Sequence, residues 1–166
     1  MRLTSTHVLT IEADLGPVVE VGRVATGVRR VIPIVGGVVR GGLVGVTGTP
    51  GPQGAPGSPG SPGTPGAPIG EVLPGGADWN LTRDDGSVEL WARYEIRLAT
   101  GALVSVTNTA VHAAGDAPVL TTPRFEVGPG GPELLRTGAF VGILEPPAGE
   151  PRVRVEVHRI AAGARA

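Results

Sequence analysis

A short stretch near the middle of the chain places a carboxylic acid beside an indole. Asp78 and Trp79 directly follow Leu73-Pro74-Gly75-Gly76-Ala77, whose two glycines permit a sharp bend at little steric cost. We therefore predict a turn at a pocket rim, where Asp78 accepts a ligand hydrogen bond or acts as a general base and Trp79 stacks on a flat ligand. In the structural alternative, Asp78 caps the amides of its own turn and Trp79 closes the end of the fold.

A phenol lies on a strongly alternating segment further along the chain. Leu90, Tyr94 and Ile96 share one face of a predicted strand, and Arg93 lies on the other face. Tyr94 is therefore expected to enter the interior, where its hydroxyl needs a hydrogen-bond partner. That partner is either a ligand or Asp78, so Tyr94 is a candidate for ligand binding and, with Asp78, for proton transfer.

An arginine interrupts another apolar face. Arg30 shares the face of Val28 and Ile32, and an arginine in such a place is rarely buried without a partner. It is therefore either an anion-binding group or half of an internal ion pair. We favour the ion pair, with Glu71 or Glu126 as its partner.

Other kinds of site find little support in the sequence. The absence of cysteine excludes disulfides, thiolate metal sites and thiol nucleophiles. His7, His112 and His158 are too scattered along the chain to indicate a metal site. The glycine-rich pieces match no dinucleotide or phosphate-binding motif, because both motifs require a following helix. We therefore predict no metal and no cofactor.

Composition limits the partners. The 166 residues carry a net charge of -1, so no nucleic acid and no membrane is expected to bind. A small organic ligand and a second copy of the chain remain open as partners. The N-terminus lacks the apolar core of a secretion signal, and no apolar run is long enough to span a bilayer. The expected location is the cytoplasm.

The pattern along most of the chain is typical of strands. Glycine and proline, 28 and 17 residues, leave few windows for helices, while valine-rich alternation is frequent. The segments connect through short turns and favour an all-β fold, either a sandwich or, preferably, a single antiparallel up-and-down β-barrel. Eight to ten strands are expected, and Pro33 restricts its strand to a sheet edge or a bulge. The predicted strands are 7–13, 18–24, 28–35, 38–46, 89–98, 103–111, 119–127, 138–144 and 152–160.

A collagen-like repeat interrupts this pattern. Glycine occupies every third position from 48 to 66, and proline fills the third place of every triplet except the one containing Gln53. A straight polyproline path of this length would span roughly 65 Å, whereas neighbouring strands lie about 4.8 Å apart. We therefore expect one domain, 1–166, interrupted by a mobile Gly/Pro-rich loop at 46–70. A trimerising collagen arm is the alternative.

The order of several short motifs resembles the domain of unknown function 3237 family, also called uncharacterised protein family UPF0311. The resemblance runs from about Val8 to Ile160 and implies a calycin-like or lipocalin-like antiparallel barrel with no settled activity. The family pattern lacks the insertion, has Asp where this chain has Thr100, and has Tyr-x-Trp-Leu where this chain has residues 132–135. If the Tyr and Trp rings of that motif line the family's pocket, the pocket is wider in this chain, which lacks both rings. The motifs are Val21-Gly22, Thr26-Gly27-Val28-Arg29-Arg30, Pro33-Ile34-Val35-Gly36-Gly37, Gly70 to Trp79, Ala92-Arg93-Tyr94, Gly101-Ala102, Pro123-Arg124-Phe125-Glu126 and Phe140-Val141-Gly142.

Three functions remain open at this stage. The first is a barrel that binds a small organic molecule through Asp78, Trp79, Tyr94 and Arg30 in an aliphatic cavity. The second is a small-molecule enzyme, a dehydratase, cyclase or isomerase, that uses Asp78 or Tyr94 for proton transfer. The third is an oligomeric structural protein joined through the collagen-like segment.

Overall fold

Strands dominate the part of the chain that the structure describes. The computed structural model describes residues 2–41, 43, 66–145 and 149–163. The predicted all-β class is confirmed, with one short helix, α1 (Glu133–Arg136), among the described residues. The strands are β1 (Arg2–Leu15), β2 (Val19–Val24), β3 (Gly27–Gly41), β4 (Pro68–Val72), β5 (Gly76–Thr82), β6 (Ser87–Leu98), β7 (Leu103–Ala113), β8 (Val119–Val127), β9 (Ala139–Glu145) and β10 (Arg152–Gly163).

The strands form one antiparallel sheet that closes on itself. From β1 the order runs through β10, β9, β8, β7 and β6, and both β4 and β5 lie between β6 and β3. The ring closes where β1 pairs with β3, with Ile11 opposite Val39. The barrel predicted from the sequence is therefore confirmed, and the sandwich alternative is wrong. Closure leaves no open edge between β1 and β3.

β3 is one strand where the sequence predicted two strands divided at Gly36-Gly37. Gly37 has a φ of 145°, and a side chain at this position would overlap the carbonyl oxygen of Glu12 on β1. Glycine thus allows β1 and β3 to approach closely, and the strand continues through the pair instead of ending there.

A bulge near Pro33 bends β3. Asp14 pairs with Gly36 and Leu15 pairs with Ile34, which leaves Val35 without a partner on β1. The predicted bulge is confirmed. The edge alternative is wrong, because Pro33 pairs with β5 on one side and its carbonyl accepts the Gly16 amide on the other.

The turn expected around Asp78 and Trp79 is wrong, because the chain is already in strand β5 at these residues. Only Leu73–Gly75 connect β4 to β5, and both predicted site residues lie within β5, opposite Ile32 and Val31 of β3. Successive side chains of a strand point to opposite faces. Asp78 therefore points into the barrel and Trp79 points outwards, so they do not act together at a turn.

The hairpin that carries Tyr94 agrees with the sequence. Gly86 has a φ of 84° in the tight turn after β5, as the Asp-Gly signal predicts. Along β6 the predicted inner face is buried, and Tyr94 is only 3% exposed. Trp91 and Arg93 lie on the exposed outer face.

The interior of the barrel is filled at one end and open at the other. The filled end is a core of aliphatic side chains, including Ile96, Val104 and Val157, each at most 1% exposed. Leu135 of α1 is buried in the same core. The open end is surrounded by the turns at 25–26, 83–86 and 114–118.

The two flanks of the collagen-like segment meet in the barrel wall. The Gly41 amide donates to the Ala67 carbonyl at 3.3 Å, and β4 pairs with both β3 and β6. Pro68 to Gly70, which the sequence assigned to the insertion, therefore form the start of β4. The rest of the loop expected at 46–70, and its trimerising alternative, fall mainly on residues 46–65, which lie outside the described residues.

Candidate functional site

A cavity of about 420 Å³ occupies the open end of the barrel. Its wall is mainly aliphatic and draws on β1, β3, β5, β6, β8, β9 and β10, through residues such as Leu15, Ile32, Leu90 and Val155. The polar side chains in the wall come mostly from β3, β5, β6 and β7. They are Arg30, Asp78, Asn80, Thr82, Tyr94, Asn108 and His112, with Asp116 in the following loop.

Strand register brings three of the polar groups together around one small residue. Ala92 pairs with Asp78 on one side and with Asn108 on the other. Tyr94 follows Ala92 on the same face of β6 and is therefore a diagonal neighbour of both. Asp78 and Asn108 are thus about two strand spacings apart, roughly 9.6 Å at the backbone. The methyl group of Ala92 leaves the space between them open.

A chain of hydrogen bonds fixes the Asp78 carboxylate. Its Oδ1 accepts the backbone amide of Trp91 at 3.0 Å, at a point where β5 and β6 are not directly paired. Asn80, on the same face of β5, also favours the ionised form of the carboxyl group. Burial raises the pKa of Asp78 above its ordinary value, although the hydrogen bond from Trp91, the Asn80 side chain and the charges of Arg30 and Arg29 oppose the rise. Asp78 does not cap its own turn.

Arg30 holds the other end of this chain. Its Nη2 donates to Asn80 Oδ1 at 2.9 Å, which leaves the amide nitrogen of Asn80 to face Asp78. The predicted ion pair with Glu71 or Glu126 is therefore wrong. Glu71 instead accepts from Arg97 at 3.0 Å, and Glu126 is exposed. Sequence reasoning named the wrong partner because the partner depends on the β3–β5 register.

Tyr94 packs over a glycine. A side chain at Gly76 would lie 2.5 Å from Tyr94 Cβ and from the Arg93 carbonyl oxygen, so glycine at the start of β5 allows a close approach to β6 at Tyr94. Burial alone raises the pKa of the phenol, and no hydrogen bond from another described residue opposes that rise. Tyr94 therefore lies in the cavity wall in its neutral form, with a hydroxyl available to a ligand.

Asn108 is a cavity residue that sequence reasoning did not select. It is 2% exposed, and its Oδ1 has no hydrogen-bond partner among the described residues. Its signal was present in the sequence: on β7 it interrupts the buried face of Val104 and Val106, as Arg30 interrupts its own face. Asn80 carries no such signal, because the glycine pair predicts a turn around Asp78 where the structure has strand β5.

Trp79 lies outside the cavity. It is 36% exposed and contacts Trp91 on the outer wall, with ring centroids 5.2 Å apart. Arg29 donates to its backbone carbonyl. The residues at 132–135 also lie away from the cavity lining, and Leu135 belongs to the filled end. The missing aromatic rings at those positions therefore do not widen this cavity.

Two of the scattered histidines meet on the barrel wall. His7 pairs with His158 across β1 and β10, with ring centroids 5.4 Å apart, and Glu156 lies 3.8 Å from His158. Within the described ranges, no group of three or more His, Cys, Asp or Glu side chains is placed to hold a metal ion. No helix in these ranges is long and apolar enough to cross a bilayer.

The fold and the cavity define a class of protein, a small closed β-barrel with an open-ended, mostly aliphatic interior. Solved structures share this fold. One is a conserved protein of unknown function, RPA1785 from Rhodopseudomonas palustris, with a TM-score of 0.73 and 31% identity over 97% of this chain and 99% of that chain. A β-barrel-like protein from Acinetobacter baumannii has a TM-score of 0.73 at 20% identity, over 97% of this chain and 98% of that chain. An enzyme from Penicillium herquei has a TM-score of 0.68 at 15% identity, over 97% of this chain and 96% of that chain.

Sequence comparison identifies the family. The model of the protein of unknown function family DUF3237 matches residues 3–118. The UPF0311 protein RPA1785 is 32% identical over 174 residues, which cover 95% of this chain and 97% of that protein. The chain therefore belongs to the DUF3237/UPF0311 family, as the motifs indicated.

Proposed function

We propose that the protein binds a small organic molecule in the open end of the barrel. The observation that carries the proposal is a mostly aliphatic cavity of about 420 Å³ with Asp78, Tyr94 and Asn108 grouped around Ala92. Ligand sites are typically about 300–1,000 Å³, mainly apolar, and carry a few placed polar groups. The match in size and in lining supports binding of one compact, mostly apolar ligand.

The charges of the cavity favour a ligand without net charge. The positive charge of Arg30 lies close enough to Asp78 to lower the pKa of that carboxyl group, and Arg30 Nη2 is already engaged by Asn80 Oδ1. The wall around Ala92 therefore offers neither an isolated cation for an anionic ligand nor an isolated anion for a cationic one. Moving a charged ligand out of water would also be costly beside so much aliphatic surface.

A fluorescent aromatic alcohol provides the test. We expect 2-naphthol, which is neutral at pH 7, to bind with sub-millimolar affinity and to change its own fluorescence. The variant Ala92→Leu places a larger side chain between Asp78 and Asn108 and should abolish this binding. Equal binding by the wild type and Ala92→Leu would mean that the probe binds outside this cavity. That result, like an absence of binding to the wild type, would contradict the proposal.

A second candidate is a proton-transfer enzyme acting on such a ligand by dehydration, cyclisation or isomerisation. Asp78 supports it, because a carboxyl group whose pKa is raised by burial is a stronger base than an ordinary aspartate. The fold is compatible with catalysis, since the related barrel from Penicillium herquei is an enzyme. The likeness to that protein supports the fold alone, so the reaction must be tested directly.

A generic elimination substrate tests Asp78 as a base without knowledge of the natural substrate. In 5-nitrobenzisoxazole, a base removes the ring C–H proton, the electron pair forms the nitrile, and the N–O bond breaks to release a phenolate. We expect turnover that rises with pH as Asp78 ionises, is lost in Asp78→Asn, and is retained in the exposed control Asp84→Asn. Equal rates in all three proteins would reject catalysis by Asp78 and leave binding as the proposal.

A further inference from the structure

Asn108 is the buried polar side chain of the cavity wall whose bonding is least complete. Its Oδ1 has no hydrogen-bond partner within the described ranges, and the residue is 2% exposed. An unpaired buried amide oxygen costs stability in an empty protein, so natural structures usually satisfy such groups. Thr121 Oγ1 is also unpaired, but this residue is not part of the cavity lining and its hydroxyl lies against Gly142.

The neighbours of Asn108 define what could pair with it. Tyr94 is its diagonal neighbour across β6 and β7, and the phenol receives no hydrogen bond from another described residue. Side-chain amide oxygens only accept hydrogen bonds, whereas a phenol both donates and accepts. A ligand group between them must therefore donate to Asn108 Oδ1, and it satisfies the Tyr94 hydroxyl proton as well if it also accepts from the phenol.

Among common ligand groups, a hydroxyl meets both requirements. A ketone or ether oxygen would accept from Tyr94 but leave Asn108 Oδ1 unpaired. A carboxylate would do the same and would also approach Asp78, which lies on the other side of Ala92. An ammonium could donate to Asn108 and to the phenol oxygen, but it would leave the phenolic proton of Tyr94 unpaired, and burial of its charge in an aliphatic cavity is costly.

We propose that the ligand is an uncharged compound with a phenolic or alcoholic hydroxyl. The Asn108 Oδ1 atom is closed to solvent in the ligand-free protein, so the side-chain amide turns on binding, and its oxygen and the Tyr94 hydroxyl then hold the ligand hydroxyl beside Ala92. This assignment rests on the proposed binding function and adds the chemical class of the ligand. Asn108 is its specificity-determining residue. The remaining ligand surface contacts the aliphatic wall.

A matched pair of probes isolates the hydroxyl. 2-Naphthol and 2-methoxynaphthalene share one ring system, and the ether has an acceptor oxygen but no donor. Without a polar partner, an apolar cavity would favour the ether, which is the less polar compound. We expect the wild type to bind 2-naphthol about fivefold to hundredfold more tightly, corresponding to one satisfied buried acceptor.

Variants of β7 connect this preference to Asn108. Asn108→Leu, which has a similar size and no acceptor, should reduce the preference to about one or reverse it. Thr109→Val removes a hydroxyl from the next residue, whose side chain lies on the opposite face of β7, and should leave it unchanged. Equal affinities for the two probes in the wild type, or a preference retained in Asn108→Leu, would overturn the assignment while leaving the binding function intact. Failure of both probes to bind would reject the binding function as well.

Thermal unfolding without ligand gives a second measurement. If Asn108 serves a ligand, Asn108→Leu removes an unpaired buried group and should raise Tm by about 3–10 °C. If its role is structural, the same variant should lower Tm, which would overturn the assignment. The Asn108 side-chain amide signals in a nitrogen-proton correlation spectrum should shift with 2-naphthol more than with the ether, and equal shifts would count against it.

Discussion

Replacing Ala92 by leucine tests whether the barrel is empty where its polar groups converge. The substitution adds three carbon atoms to a residue that is 7% exposed and lines the cavity. Burial of about 0.8 kcal/mol per carbon gives at most about 2.4 kcal/mol of added stability. Ordering a leucine side chain costs about 0.5–1 kcal/mol. The expected gain in the free energy of unfolding is therefore about 1–2 kcal/mol.

Ala102 provides the matched control. It is also 7% exposed and belongs to the core, but it does not line the cavity. The same three carbons have no space there, so Ala102→Leu should lose about 1–3 kcal/mol through overpacking. Two identical substitutions at equal exposure should thus change stability in opposite directions.

Urea unfolding of the two variants and the wild type measures the difference. The gain expected for Ala92→Leu corresponds to a rise in Tm of about 2–8 °C for a chain of this size. The same protein should no longer bind 2-naphthol. A loss of stability in Ala92→Leu comparable to that in Ala102→Leu would refute the reasoning, because it would mean that the interior is filled at both ends.

Three further predictions follow from individual contacts. The raised pKa of Asp78 means that the folded state holds this proton more tightly than the unfolded state does. The free energy of unfolding should therefore fall as pH rises from about 3.8 through the folded pKa. Urea titrations at several pH values should show that Asp78→Asn flattens this fall. The new methyl group in Gly142→Ala would overlap Thr121 Oγ1 and should lower the free energy of unfolding by about 1–3 kcal/mol. Adding Thr121→Ala should recover part of this loss in a double-mutant cycle, whereas strict additivity of the two changes would count against the overlap. Trp79→Leu should leave 2-naphthol affinity unchanged, and a large loss would return Trp79 to the binding site.

The strands and their inward faces were predictable because alternation is a local property. Tyr94 was expected in the interior by counting along one strand, and its burial confirms that expectation. Local signals also caused the error at Asp78. The Gly75-Gly76 pair predicted a longer turn, but the chain enters β5 at Gly76, where glycine is needed to accommodate Tyr94.

Contacts between strands were not predictable from one sequence. Arg30 was recognised as an unusual residue, but its partner Asn80 follows from the register of β3 against β5. The bond from the Trp91 amide to Asp78 likewise depends on β5 and β6 separating locally. The cavity itself depends on the summed volume of inward side chains from many strands. Alternation shows which residues face inwards but not whether they fill the space.

The outer position of the two tryptophans has a practical consequence for experiments. Trp79 and Trp91, the two indoles of the chain, lie together on neighbouring strands with ring centroids 5.2 Å apart at 58°. Rings this close and this tilted should couple their electronic transitions and give a paired circular dichroism signal that vanishes when β5 and β6 separate. Intrinsic fluorescence will therefore report the integrity of one hairpin, whereas occupancy of the barrel has to be followed through the ligand.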